Sequence, residues 1–253
     1  MTKQIGFLFD VDGTLTTYHG NDSVIDPDII SVMHMISENQ IPIGLVTGRS
    51  VTWVQSYFFP YLSRALKESI RISGEFGLVT WNGKEKQSQV VDNGLASILK
   101  QIQRAVVLKA LNEQGLQTIE SYSAPEKLCL WIEPKEVMVT FRTLPAYGLT
   151  LAKLMALVKP IVTKVTTPVK IEANPAAVDI LPSFASKQYG AEEAIKMLDP
   201  SGKISHWFAF GDSEADREME KVRNCKVQFF LVPRGDTKTV HQMIEELCTK
   251  YVH

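Results

Sequence analysis

Apolar positions follow two rhythms along this chain. Short apolar runs that stop at an acidic or glycine-containing turn predict buried parallel strands. Ile5–Phe9 stops at Asp10, Ile43–Val46 stops at Thr47-Gly48-Arg49-Ser50, and Trp207–Phe210 stops at Gly211-Asp212. Helical spacing fills the intervals. Asp26-Pro27 reads as an N-cap and first-turn proline, after which Ile29, Val32, Met33 and Ile36 mark one helix face. A helix from Val51 to Phe58 and a strand at Ile70–Ser73 follow. Strand, helix, strand, helix, strand predicts a parallel sheet covered by helices. The tail repeats the style. Ala191, Ala194, Ile195 and Leu198 predict a helix opening near Lys187, and Lys226–Val232 is a further strand. Val240, Met243, Ile244, Leu247, Cys248 and Tyr251 then line one face of a final helix.

The middle of the chain differs. Leu95, Ile98, Leu99, Ile102 and Val106 predict a long helix, with strands at Leu128–Glu133 and Val137–Thr143. A helix over Leu149–Val158 and strands at Val162–Thr166, Lys170–Ala173 and Val178–Leu181 come next. This is αββ followed by αββ or αβββ, an antiparallel insert. The expected fold class is therefore α/β: a doubly wound, mostly parallel Rossmann-like core from residues 1–83 and 183–253, interrupted by an α+β domain over 84–182.

Composition narrows the function. With 253 residues, 45% hydrophobic and 22% charged, the chain can bury a sizeable core. A formal net charge of −1 provides no overall field for nucleic acid or anionic lipid, so an anionic substrate needs a local site. Cys129, Cys225 and Cys248 form neither a zinc pair nor a disulfide framework, which predicts a reducing, cytoplasmic setting. The first residues lack the apolar stretch of a secretory signal, and no run approaches the roughly 20 apolar residues of a membrane span. Asn21-Asp22-Ser23 fits a glycosylation pattern and reads as loop. Oligomeric state is not encoded in any motif.

Four islands carry chemistry, and each lies at the carboxyl end of a predicted strand or the start of a helix, where open α/β sheets bind ligands. They are Asp10-Val11-Asp12-Gly13-Thr14, Thr47-Gly48-Arg49, Lys187, and Gly211-Asp212-Ser213-Glu214-Ala215-Asp216. Singly, each has a plain structural reading: a turn, a strand-to-helix connection, a solvated lysine, an acidic helix start. Their conjunction points to phosphoryl chemistry. An aspartate with an ordinary pKa of about 3.9 is ionised at neutral pH, so Asp10 can attack phosphorus without prior deprotonation. A phosphate dianion nearing Asp10, Asp212 and Asp216 meets repulsion of about 4 kcal/mol for each like-charge pair at ~4 Å. A divalent cation and Lys187 compensate, and a few carboxylates with waters and phosphate oxygens suit Mg²⁺. Asp12 has the opposite task. To protonate a leaving alkoxide it must hold a proton near neutral pH, which costs about 4 kcal/mol against its ordinary value.

The order DxDGT, Ser/Thr, Lys, GDxxxD resembles the haloacid dehalogenase superfamily of phosphohydrolases over nearly the whole chain. The αββ-αββ insert looks like the type-IIB cap of the superfamily's sugar-phosphate phosphatases, and Ile72–Gly77 with Asn82-Gly83 is similar to the strand pair leading into such caps. The resemblance implies an aspartyl-phosphate intermediate on Asp10 and a general acid/base at Asp12. It implies Mg²⁺ held by the side chains of Asp10 and Asp212 and the backbone carbonyl of Asp12, with Asp216 as a further ligand or anchor. Lys187 would pair with Asp10 and the transferring phosphoryl group. Thr47 and Gly48 would line the phosphate-binding turn, and Arg49 would face substrate or cap or join a surface ion pair. The implied substrate is a small phosphomonoester, that of a sugar, with neither nucleic acid nor membrane as partner. Lys127, Arg142, Lys170, Glu172 and Asn174 are candidate contacts in the insert, and Trp81 near the hinge lines the site or packs. Two alternatives stand beside this reading. FDVDGTLT also resembles the first motif of phosphomannomutases, although Thr-Gly-Arg-Ser and Ser-Glu-Ala-Asp are closer to sugar phosphatases than the Gly-Gly-Ser-Asp and Gly-Gly-Asn-Asp types of the mutases. A non-catalytic binding protein on the same fold is the other.

Overall fold

The computed structural model describes residues 4–19, 22–90 and 93–252. Asn21 of the glycosylation pattern and the first three residues lie outside them. In chain order the elements begin with β1 (Ile5–Phe9), a hairpin of β2 (Thr16–His19) and β3 (Asp22–Ile25), α1 (Pro27–Glu38) and β4 (Ile43–Val46). Then come α2 (Val51–Trp53), α3 (Arg64–Ser69), β5 (Arg71–Gly74), β6 (Val79–Trp81) and β7 (Lys86–Ser88). The middle holds α4 (Asn93–Gln114), β8 (Thr118–Glu120), β9 (Leu130–Glu133), β10 (Val139–Arg142), α5 (Leu151–Val162), β11 (Val169–Asn174) and β12 (Ala177–Pro182). The chain closes with α6 (Lys187–Leu198), β13 (His206–Gly211), β14 (Val227–Leu231) and α7 (Thr237–Val252). These elements form two compact units, Met1–Gln89 with Ala185–His253, and Val90–Phe184.

The first unit is built on a seven-stranded sheet in the order β14-β13-β1-β4-β5-β6-β7. From β14 to β5 the strands are parallel, and β6 and β7 extend the edge antiparallel. β1 lies between β4 and β13, so the chain leaves it in opposite directions on its two sides. That is the switch point of a doubly wound sheet, where the carboxyl ends of neighbouring strands open a crevice. All five residues of β1 are buried, and Phe7, Phe9, Phe208 and Phe210 pack together. The expected helix over 51–58 exists only as the α-turn of α2, which widens into a π-helix at Val54–Phe58. Pro60, with no N–H to continue the ladder, lies just beyond.

The second unit is a five-stranded sheet, β11-β12-β10-β9-β8, antiparallel except for the β8–β9 pair. Leu99, Ile102 and Val106 of α4 join Leu154, Leu157 and Val158 of α5 in one core with Ile132, Phe141, Val178 and Ile180. Strand alternation turns Glu133, Thr140, Arg142 and Asp179 to the opposite face. The strand expected at Val162–Thr166 is not formed. α5 runs to Val162, and Thr163, Lys164 and Val165 donate backward to Lys159, Ile161 and Val162, closing its end with local hydrogen bonds. β-branched residues favour strands only where a partner edge is offered, and here the backbone groups are already used. The short exposed strand β8 carries no apolar run that would mark it, so the insert is αβββ-αββ.

Candidate active site

The site starts at Asp10, the first residue past β1. Its N–H still donates to Phe210 O at 2.9 Å, which keeps the loop base in register with the sheet. Gly13 N–H on Thr16 Oγ1 at 3.0 Å and Thr16 Oγ1 on Val11 O at 3.2 Å close the following turn. Gly13 has φ +81°, and a Cβ there would stand 2.4 Å from Asp212 Oδ2. Glycine therefore serves twice, in the backbone conformation and in admitting the Asp212 carboxylate from the end of β13.

Lys187 enters from the opposite end of the sequence. Ser186 caps α6 by accepting the Tyr189 N–H, so Lys187 occupies the first helical turn with its stem buried. Its Nζ lies 2.5 Å from Asp10 Oδ1, 2.8 Å from Asp216 Oδ1 and 2.8 Å from Val46 O. Three donors meet three acceptors, which is what a buried ammonium needs to persist. The second oxygen of Asp216 accepts from the N–H of Ser213 at 3.1 Å and its Oγ at 2.6 Å. Arg234 Nε stands 3.0 Å from Asp212 Oδ2.

Asp10, Asp212 and Asp216 each offer a carboxylate oxygen, all within 4.8 Å of one another. Burial pushes Asp10 up to about 7, with Asp216 and Asp12 adding and Lys187 opposing. Asp212 is raised by burial and by Asp216. Burial works against the charge of Lys187, but Asp10 and Asp216 outweigh it and hold the ammonium above its ordinary value. Asp216 is also opposed by burial, and Lys187 holds it below the usual carboxylate range. Three carboxylates face one buried ammonium, with the more exposed Arg234 guanidinium on Asp212, so the cluster keeps a negative surplus. A set of hard oxygens with that surplus fits a divalent cation such as Mg²⁺.

Asp12 is turned to another neighbourhood. Arg49 grips its carboxylate with both arms, Nε to Oδ2 and Nη2 to Oδ1 at 2.8 Å each, and Ser23 Oγ donates to Oδ1 at 2.6 Å. The guanidinium is 4.5 Å from the Trp53 ring centroid and its side chain only 13% exposed, so Arg49 is neither a surface pair nor loose. Thr47 is buried, its N–H on Ser73 O at 3.0 Å and its Oγ1 accepting the Arg49 N–H at 3.0 Å. Trp53 and Arg234 are given no site role by the sequence, Ser213 enters only as part of its island, and Ser23 only through the glycosylation pattern. Arg234 carries a usable signal, since it lies just past the carboxyl end of β14. Ser23 does not, because it arrives through a hairpin no pattern marks.

The candidate contacts of the insert take separate places within the second unit. Arg142 Nη1 stands 3.4 Å from Glu133 Oε2 and over the Trp131 ring, and Lys170 pairs with Glu172 at 2.6 Å. Asn174 Oδ1 accepts the N–H groups of Ala176 and Ala177, closing the β11–β12 turn. Lys127 lines a cavity of about 380 Å³ beside Ile119, Ser121 and Glu126. In the first unit, Trp81 packs edge-on to Phe59.

Acid-rich loops converging at the switch point of a doubly wound sheet define the centre of an enzyme. Residues 7–116 match the model of a family described as haloacid dehalogenase-like hydrolase. No curated protein matches the chain by sequence. Among solved structures, a haloacid dehalogenase-like hydrolase from Bacteroides thetaiotaomicron aligns over 97% of this chain and 99% of its own, with 15% identity and a TM-score of 0.65. Trehalose-6-phosphate phosphatase of Aspergillus fumigatus aligns over 98% and 93%, with 16% identity and a TM-score of 0.57. IMP-nucleotidase of Plasmodium falciparum aligns over 97% and 62%, with 17% identity and a TM-score of 0.63. At these identities the structural likeness speaks for the fold. Over residues 7–116 the chain is similar in sequence to haloacid dehalogenase-like hydrolases, and it shares their fold. Among the described residues, no helix is long and apolar enough to cross a membrane.

Proposed function

We propose that this chain is a Mg²⁺-dependent phosphatase that transfers the phosphoryl group of a small phosphorylated sugar to Asp10 and then to water. One observation carries the reading: Asp10 is buried at the switch point, held by Lys187 on one oxygen, and shares an oxygen cluster with Asp212 and Asp216. Asp10 and Asp212 would hold the ion through their side chains and Asp12 through its carbonyl, with Asp216 as a further ligand or as the anchor of Lys187. When bound, the ion would neutralise charge on the transferring phosphoryl group.

The chain's own residues do the rest. A carboxylate oxygen of Asp10 attacks phosphorus as the ester P–O bond breaks, and the leaving alkoxide takes a proton from Asp12. Asp12 then accepts a proton from water as that water attacks the same phosphorus, releasing phosphate and restoring the Asp10 carboxylate. Lys187 orients Asp10 and balances the transferring charge, while Thr47 and Gly48 take a phosphate oxygen. Arg49 has a role beyond binding. Its fork favours Asp12 as a carboxylate, the form the second step requires. The acid form of the first step requires that the arriving phosphate draw Arg49 away.

The second unit would act as the cap that selects the leaving group. The polar face of its sheet sets Glu133, Thr140, Arg142 and Asp179 beside Trp131, with Thr140 Oγ1 donating to Asp179 Oδ1 at 2.7 Å. Such an array of donors and acceptors beside an aromatic ring suits hydroxyl-rich molecules, which supports a sugar over a simple alkyl phosphate. The trehalose-6-phosphate phosphatase likeness agrees with this choice. A panel of phosphorylated metabolites scored for phosphate release, with and without Mg²⁺, tests the proposal. Sugar phosphates should be hydrolysed only with the metal. Phosphate migrating within a sugar without release, or no turnover on any member, would reject it.

A further inference from the structure

Two adjacent side-chain-bearing residues, Glu75 and Phe76, have left-handed backbones with φ of 50° and 58°, although glycines stand on both sides at 74 and 77. Residues with a Cβ avoid this region, so the surroundings must impose it. What they gain is visible in the hydrogen bonds. Glu75 N–H donates to Arg49 O at 3.0 Å and Phe76 N–H to Thr47 O at 3.1 Å, the two carbonyls that flank Gly48. Phe76 O then accepts the N–H of Ser186, the cap of α6, at 3.3 Å. The Phe76 ring lies on Gly48 so closely that a Cβ there would be 2.9 Å from its Cζ. One turn thus ties the Thr47–Arg49 loop to the helix whose first residue is Lys187, and Lys187 itself returns to Val46 O. The two consecutive N–H groups of the left-handed pair thus serve one carbonyl each on either side of Gly48.

We propose that the Glu75–Phe76 turn is a positioning device for the phosphate-binding loop, with Phe76 as its positioning residue. It sets the spacing between Thr47-Gly48 and Lys187 and touches neither substrate nor metal. The inference rests on the phosphatase reading of the same site and adds to it a residue outside the four islands.

Steric complementarity provides the test. Gly48→Ala pushes into the Phe76 ring, and Phe76→Gly keeps the left-handed backbone while deleting the ring. Each single variant should raise KM and the inhibition constant for inorganic phosphate by the same factor, about tenfold for Gly48→Ala and less for Phe76→Gly, with kcat changed far less. In the double variant the Gly48→Ala penalty should largely disappear, because the clashing ring is gone. Penalties that simply multiply in the double variant, or a folded Phe76→Gly protein with unchanged KM and phosphate inhibition, would overturn the inference. Should Phe76→Gly fail to fold, Phe76→Leu replaces it, since it also lacks the flat ring. If the parent protein turns over no phosphomonoester, the phosphatase reading has failed. The Gly48–Phe76 coupling is then read from thermal stabilisation by inorganic phosphate, and its absence there overturns the inference on its own.

Discussion

Both units bury an aspartate beside cationic side chains, and the difference between the two clusters separates chemistry from recognition. In the first, burial pushes Asp10 up to about 7, and Asp212 and Asp216 stand with it against a single buried ammonium. In the second, burial pushes Asp179 up to about 6, and Glu133 adds to the rise while Lys135, Thr140 and Arg142 oppose it. There two acids, Glu133 and Asp179, face two cations, Lys135 and Arg142. The balanced cluster needs no outside charge, and its carboxylates can accept hydrogen bonds from a neutral partner. The unbalanced one keeps a negative surplus even with Arg234 on Asp212, and a dication followed by a phosphate can use it. Burial alone does not make a carboxylate catalytic. What it is left unpaired with decides.

This contrast can be broken in four ways. The largest effect belongs to Asp10→Asn, which should lower turnover by at least about a thousandfold while the melting temperature stays near that of the parent. Substantial activity in a folded variant would remove the proposed nucleophile. Next come the two buried lysines. Lys187→Met and Lys135→Met each strand buried carboxylate charge, and each should cost about 3–5 kcal/mol in denaturant unfolding. Only the Lys187→Met loss should be partly restored by Mg²⁺, because only that cluster can take up a dication. Equal recovery in both variants would erase the distinction.

A smaller effect is expected for Asp179→Asn. The carboxyl of Asp179 is raised from 3.8 to about 6, so the native state holds its proton more tightly than the unfolded chain does. Its contribution to stability is complete below about pH 4 and is lost as the pH climbs through 6. Asparagine keeps an acceptor for Thr140 without the charge. The variant should therefore match the parent at pH 4 and exceed it at pH 7.5, by at most about 3 kcal/mol. A variant less stable than the parent at pH 7.5 would show that the ionised carboxylate is well paired. Smallest is Arg142→Ala, expected to raise KM for the preferred sugar phosphate about tenfold and to leave p-nitrophenyl phosphate hydrolysis unchanged. Equal losses on both substrates would place Arg142 in the general stability of its unit.

The fold class was legible because buried parallel strands leave a plain mark: Ile5–Phe9, Ile43–Val46 and Trp207–Phe210 are apolar runs that end abruptly at polar turns. The same rule drew attention to Asp10, Thr47 and Asp212, since each is the first polar side chain after such a run. Lys187 stood out only by its order among the islands, as nothing local distinguishes a lysine at a helix start from a solvated one. The Asp12–Arg49–Ser23 network could not be read, because it depends on a hairpin and on the direction of a side chain. Nor could the Glu75–Phe76 turn, whose backbone contradicts what its residue types favour. Thr163–Val165 misled for a related reason: β-branched propensity was overruled by hydrogen bonds available nearer in the chain.

The central claim is that phosphate passes through the carboxylate of Asp10. Rapid quenching during turnover of a hydrolysed sugar phosphate, followed by borohydride reduction and peptide mass spectrometry, addresses it directly, because borohydride converts an acyl phosphate to the alcohol. The account predicts homoserine at position 10, dependent on both substrate and Mg²⁺ and absent from the Asp10→Asn variant. Steady turnover with unmodified Asp10 under conditions that reduce a known acyl phosphate, or a modified residue elsewhere, would contradict it.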